Sequence, residues 1–240
     1  METLFAGWQE TLIWSCLQGV MGSIYASGVD SAMALIGDFC FLAGEPDEEL
    51  LHFRPNGYEN RYLILVPQNE AWSRLIEETY DETMRRTERY AIRKEPDVFD
   101  RVHLKEAVKA LPEGCTLHRI DEKWYQECLR HDWSRDLVST YRDYEEYQKL
   151  GHGIVAEDQG ELVAGASSYT SYQEGIEIEI DTRQDHRRKG LAYACGAQLI
   201  LDCMDRGLYP SWDAHNMGSV ALAEKLGYHF DHAYPVYVPK

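Results

Sequence analysis

The stretch IEIEIDTRQDHRRKGLAYACGAQLILDCMDRG, residues 176–207, joins three unlike patterns end to end. Strict alternation sends Ile176, Ile178 and Ile180 to one face and Glu177, Glu179 and Asp181 to the other, which predicts a half-buried strand. From Leu191 to Arg206 the rows Leu191, Cys195, Leu199, Cys203 and Ala192, Gly196, Ile200, Met204 form one apolar helix face. Gln198, Asp202 and Arg206 are expected to face water, and Gly207 to close the helix as a left-handed cap. Between strand and helix, Arg183, Arg187, Arg188 and Lys189 oppose only Asp185. A strand, a basic loop and a helix N-terminus make an anion site, because backbone N–H groups and the helix dipole converge on one spot. Gly190 lets the backbone approach that anion. A basic loop standing alone reads better as a solvated turn.

Downstream, the strand-like LYPSWDAH (208–215) precedes a short helix SVALAEKL (219–226) closed by Gly227, then two strands, YHF and YPVYV. Upstream, GIVAEDQGELVAGASSY (153–169) reads as a hairpin turning at Asp158, Gln159 and Gly160. Before it lie TLHRID and two helical stretches, EKWYQECLRHD and SRDLVSTYRDYEEYQKL. The N-terminal part also alternates helix and strand: LFAGWQETLIWSCLQ, SAMALIGDFCFLAG, RYLILVP and helical NEAWSRLIEETYDETM. Glu77, Glu78, Asp81, Glu82, Arg85, Arg86 and Arg89 are expected to form an exposed helix surface. Pro112 and Gly114 in LPEGC break any helix, so the expected division is an N-terminal α/β region, residues 1–112, and a second domain, residues 116–240.

The 240 residues accommodate one large or two small domains, and 44% hydrophobic with 12% aromatic residues supply a packed core. Forty-one acidic against 24 basic residues give a net charge of −17, which repels nucleic acid and anionic membranes. The same field attracts a substrate carrying free amines. Cys16, Cys40, Cys115, Cys128, Cys195 and Cys203 lie far apart, so neither a metal site nor a disulfide framework is expected. Reduced cysteines and an N-terminus without a signal-peptide pattern lead to a cytoplasmic expectation. Thr11 to Val29 is uncharged, but its Ser, Gln and Gly residues suit a buried helix followed by a strand better than a membrane span.

Arg187-Arg188-Lys189-Gly190-Leu191-Ala192 resembles the [Gln/Arg]-x-x-Gly-x-[Gly/Ala] pyrophosphate loop of the GNAT N-acetyltransferases, between that family's fourth strand and the next helix. WDAHNMGSVALAEKLGY (212–228) resembles the family's fifth strand, its Asn and its closing Glu-Lys-Leu-Gly-aromatic helix. IEIEIDT, GLYPSWDAHN and SVALAEKLGY are together similar to the subgroup that includes the zwittermicin A resistance acetyltransferase, whose members carry an extra N-terminal region. The resemblance covers residues 116–240. It implies an α/β fold of α+β type: a mixed, splayed central sheet flanked by helices, preceded by a smaller α/β region that could be a degenerate copy.

The resemblance also implies acetyl-CoA as acetyl donor. The backbone at Ile180, Asp181 and Thr182 would hold the pantetheine arm, and Arg187, Arg188, Lys189, Gly190, Leu191 and Ala192 would wrap the pyrophosphate. Asn216 and Ser219 would complete the cleft, Asn216 serving also as a helix N-cap. Amine attack on a thioester needs a neutral amine held near the carbonyl. Glu177 and Glu179, on the non-Ile face, are candidate bases, though both could instead line an exposed face or bind a cationic substrate. Many family members place a Tyr general acid where this chain has Ala223, so the acid is unassigned: Tyr228 or His215 could substitute, or the thiolate could leave without help from the protein. The expected activity is acetylation of a small-molecule primary amine, the alternatives being a protein or peptide amine, or an acyl-CoA sensor without turnover. The oligomeric state is not legible.

Overall fold

The computed structural model describes residues 2–59 and 62–240. Its elements run α1 (Thr11–Gln18), β1 (Ser23–Ser27), β2 (Ser31–Ile36), β3 (Phe39–Gly44), α2 (Glu48–His52), β4 (Ile64–Pro67), α3 (Glu70–Tyr80) and β5 (Met84–Ile92). There follow α4 (Arg101–Lys109), β6 (Cys115–Arg119), α5 (Glu122–Arg130), α6 (Tyr144–Leu150), β7 (Gly153–Asp158), β8 (Glu161–Tyr172) and β9 (Gly175–Thr182). The chain closes with α7 (Leu191–Arg206), β10 (Tyr209–Ser211), β11 (Asp213–Ala214), α8 (Met217–Leu226) and β12 (Phe230–Pro239). Polar side chains start several of the helices: Asn69 accepts from the N–H groups of Ala71 and Trp72, and Asp100, Asp121 and Asp143 cap α4, α5 and α6 in the same way. Gln159 and Gly160, both at positive φ, make the tight turn joining β7 to β8.

The chain forms two compact units, residues 1–89 with 233–240 and residues 90–232. In the first, β1, β2 and β3 are antiparallel neighbours, and β4 lies parallel to β3 over the whole run from Phe39↔Ile64 to Leu42↔Pro67. The end of β12 adds to β4 through Tyr237↔Leu65. Met33, Leu42, Leu65, Trp72, Ile76 and Tyr237 meet in its core. In the second unit the sheet order is β10-β9-β8-β7-β6, antiparallel except for the parallel pair β9 and β10. Its core joins Leu104 and Ala107 of α4, Leu199 and Ile200 of α7 and Leu226 of α8 to Ile154, Ala166 and Ile178 on one sheet face.

The division falls between Arg89 and Tyr90, not at 111–115. Pro112 and Gly114 do end a helix, but α4 buries Leu104 and Ala107 in the core of the second unit, so the break is a turn inside that unit. Arg85, Arg86 and Arg89 belong to a strand rather than a helix, and Arg86 reaches back to Glu77 at 3.5 Å. Residues 31–44 form two strands turning at Gly37, and 230–239 form one strand instead of two. Asp202 is buried at 8% exposure rather than solvated. Arg119 on β6 meets it at 2.9 Å and Gln198 donates to its other oxygen, so the charge is paired where it is desolvated. Among the described residues no helix is long and apolar enough to cross a membrane.

Candidate functional site

Strand β9 is the spine of the site. On one side it pairs with β8 along its whole length, from Tyr172↔Gly175 to Ala164↔Thr182. On the other it pairs with β10 only through Tyr209↔Gly175, Pro210↔Ile176 and Ser211↔Glu177. The chain then leaves at Trp212, and Asp213–Ala214 pair antiparallel with Ala91 and Tyr90 instead. LYPSWDAH is therefore two strands joined to different neighbours, and no described strand lies in register with Ile178–Thr182 on that side. A splayed edge presents backbone donors and acceptors to whatever extended group lies along it.

At the far end of β9 the chain passes through a single 3-10 turn, Gln184–His186, and enters α7. Gly190 is the N-cap residue of α7, at φ 88 and ψ 2, and makes no side-chain cap hydrogen bond. The first N–H groups of a sixteen-residue helix therefore open onto this loop. A Cβ placed on Gly190 would meet nothing within 4 Å, so the space beside it is open. Arg188 also takes positive φ, at 63. Arg188 and Lys189 are exposed and form no ion pair among the described residues, whereas Arg183 is engaged by Asp185 and Glu161 at 2.8 Å each. The Arg187 Nε donates to the Thr182 carbonyl at 3.2 Å and ties the loop back to the strand. These features suit a pyrophosphate: two exposed cations, a helix terminus and a glycine whose missing side chain leaves the approach clear. Leu191 is buried and Ala192 half-buried in the first turn.

The opposite end of the splay holds Glu177, buried at 5% exposure. It faces Thr170 across β8 and Ser211 across β10. Glu179 is half-buried and lies opposite Ser167, whose Oγ hydrogen-bonds the Tyr147 hydroxyl at 2.8 Å. Ile180, Asp181 and Thr182, all half-buried, continue the strand toward the loop. A Cβ on Gly165, the partner of Asp181, would lie 2.6 Å from Leu137, so Leu137 packs directly on this face of the sheet. Burial and the neighbouring Asp136 push the Asp181 carboxyl up to about 6, against an opposing pull from Arg187.

Asn216 realises its capping role: its Oδ1 accepts the Ser219 N–H at 3.0 Å at the start of α8, and Ser219 is half-buried. Ala223 is wholly buried in the core. Tyr228 is also buried, and its hydroxyl donates to the Pro210 carbonyl at 2.6 Å, so its proton is committed to the fold; burial pushes its pKa well above the ordinary tyrosine value. His215 is exposed. All six cysteines are free, and burial holds Cys16, Cys40, Cys128, Cys195 and Cys203 up at about 12, protonated and poor as nucleophiles. No group of metal-ligating side chains occurs among the described residues. Sequence reasoning passed over Thr170, Ser211 and Asp136, which have no motif around them and reach the site only through strand register and a distant turn.

A family model described as GNAT acetyltransferase matches residues 2–237. The uncharacterised N-acetyltransferase YdfB of Bacillus subtilis (strain 168) is 26% identical over 247 residues, covering 95% of this chain and 89% of that one. The crystal structure of a GCN5-related N-acetyltransferase-like protein from Streptococcus suis 89/1591 is similar at 51% identity with a TM-score of 0.94, covering 100% and 96% of the two chains. A GCN5-related N-acetyltransferase from Kribbella flavida, at 17% identity and a TM-score of 0.62 over 96% and 94%, shares the fold. The match includes the N-terminal unit, which the motifs at 176–228 do not touch. The chain belongs to the GNAT acetyltransferase family and is an N-acetyltransferase.

Proposed function

We propose that the protein transfers an acetyl group from acetyl-CoA to a primary amine of a small molecule, using one site per chain in the second unit. The observation that carries this is an open basic glycine loop at a helix N-terminus and a buried carboxylate at the two ends of one splayed strand edge. The six extended residues from Glu177 to Thr182 span about 17 Å, which separates the reacting end from the phosphate end. Acetyl-CoA, when bound, supplies an activated acyl group as a thioester. The loop from Arg187 to Ala192 holds its pyrophosphate, and the backbone of Ile180, Asp181 and Thr182 pairs with the pantetheine arm. Asn216 and Ser219, at the head of α8, border the same cleft.

Glu177 is the base in this reading. Its burial disfavours the charged form, and it sits where the strands part, so it accepts the proton an ammonium sheds as nitrogen becomes nucleophilic. Glu179, more exposed and two residues toward the loop, binds the cationic acceptor and serves as the second candidate base. No side chain is assigned as acid, since Ala223 replaces the usual Tyr and Tyr228 is locked to Pro210. The resemblance to the zwittermicin A resistance subgroup rests on three segments of the cofactor half and supplies no acceptor.

The first half reads as a degenerate copy of the second. The order β1-β2-β3-α2-β4 repeats β7-β8-β9-α7-β10, antiparallel through the first three strands and parallel at the last pair. Two features argue against a cofactor site there. β3 and β4 stay in register throughout, leaving no splay, and the β3–α2 connection is acidic, Glu45-Pro46-Asp47, where the second half has its basic loop.

Thiol release from acetyl-CoA with a panel of small primary amines tests the activity. Glu177→Gln is expected to lower turnover at neutral pH about 10²-fold or more with acetyl-CoA binding unchanged, and to recover partly at high pH. Wild-type turnover in Glu177→Gln would move the base elsewhere, and no thiol release with any amine would remove the small-molecule assignment.

A further inference from the structure

Thr170, Glu177 and Ser211 stand in one row across β8, β9 and β10. Paired residues of adjacent strands project to the same face, with Cβ atoms about 5 Å apart. Thr170 and Ser211 are completely buried, and neither Thr170 Oγ1 nor Ser211 Oγ has a hydrogen-bond partner among the described residues. Two orphaned hydroxyls beside one carboxylate form a costly arrangement that needs a reason. A β-bulge strengthens the point. The register runs Ser168↔Ile178 and then Thr170↔Glu177, so one extra residue is inserted at Tyr169. Without it the bulky Tyr169 would oppose Glu177; with it a hydroxyl does. Bulges of this kind re-aim side chains next to active sites.

We propose that Thr170 and Ser211 are positioning residues for Glu177. Each hydroxyl turns about its Cα–Cβ bond to donate to the carboxylate, fixing the side chain at the point where β9 and β10 part. A hydroxyl both donates and accepts, so after Glu177 takes a proton its single O–H donates to one of the hydroxyls while the other goes on donating to the carboxyl's remaining acceptor oxygen. The base is thereby held in one place through both protonation states. Donation favours the ionised form and so lowers the pH at which Glu177 titrates. The other titratable groups on which Glu177 acts electrostatically are Tyr172 on β8, Tyr209 on β10 and Tyr228 after α8, phenols whose pKa values are raised by burial and which stay protonated throughout. The catalytic meaning of the row rests on the reading of Glu177 as base; the pairing itself does not.

The experiment follows the Glu177 carboxyl directly by NMR titration of the full chain carrying ¹³C-carboxyl glutamate, with the signal assigned from Glu177→Gln. Thr170→Val and Ser211→Ala, close in shape to the native side chains, are each expected to move the titration midpoint upward by about one pH unit. Thr170→Ser, which keeps the hydroxyl, is expected to leave it in place. The acid limb of thiol release from acetyl-CoA with the amine panel should move by the same amount. An unchanged midpoint in both hydroxyl-free variants, with folding verified by circular dichroism, overturns the proposal. A midpoint that moves as expected, combined with full turnover in Glu177→Gln, upholds the pairing and overturns the base assignment instead.

Discussion

Replacing Gly190 with valine separates backbone strain from ligand exclusion, because the structure supplies a matched control. Gly190 has φ 88, and a Cβ there meets no protein atom within 4 Å. The internal cost is therefore that of a left-handed β-branched residue, about 1–2 kcal/mol. For a chain of this length that lowers Tm by roughly 2–8 °C. Gly207, at the other end of α7, has φ 70 and equally open space, so Gly207→Val carries the same strain about 26 Å away along the helix. The two variants should melt alike. They should bind differently, because the new side chain at position 190 fills the space the pyrophosphate needs. Losing two charge-assisted N–H contacts there costs about 3–6 kcal/mol, a fall in acetyl-CoA affinity of about 10²-fold to 10⁴-fold. Calorimetric titration of wild type, Gly190→Val and Gly207→Val, with circular dichroism melts on the same samples, checks both halves. Equal acetyl-CoA affinity in the folded Gly190→Val protein, or an equal loss in Gly207→Val, refutes the location of the site.

Asp181, held up at about 6, binds a proton more tightly in the folded chain than in the unfolded one, so stability declines as pH rises from about 4 to about 6 and the loss is complete above that. Asp181→Asn removes this ionisation: urea unfolding should show a gain of about 1–2 kcal/mol at pH 8 and none at pH 3.5. Tyr237 on β12 is buried against the first unit's core, and its hydroxyl donates to Glu77 at 2.5 Å, so Tyr237→Ala should cost about 3–5 kcal/mol by denaturant unfolding. Acetyl-CoA affinity measured on the folded fraction should stay at the wild-type value, since the proposed cofactor loop belongs to the other unit.

Sequence by itself determined the elements whose cause is local. The alternation of Ile and Glu from 176 to 180 became β9, the apolar rows from Leu191 became a helix ending at Arg206, and Gly207 and Gly227 became left-handed caps, because each pattern depends on neighbours within a turn or two. The candidate loop was legible for the same reason: a glycine and cations between a strand and a helix N-terminus are contiguous in the chain. Tertiary structure alone decided the rest. Asp202 matches the polar face of α7 in sequence, yet it is buried because Arg119, on another element, compensates its charge. The parting of β9 from β10 depends on β11 finding Tyr90 and Ala91, more than a hundred positions away in the chain, and the end of β12 depends on Leu65. A single inserted residue in β8 puts Thr170 rather than Tyr169 beside Glu177. Strand register is set by packing and long-range hydrogen bonding, neither of which leaves a trace in local composition, and so the partners of the candidate base could be found only in the folded chain.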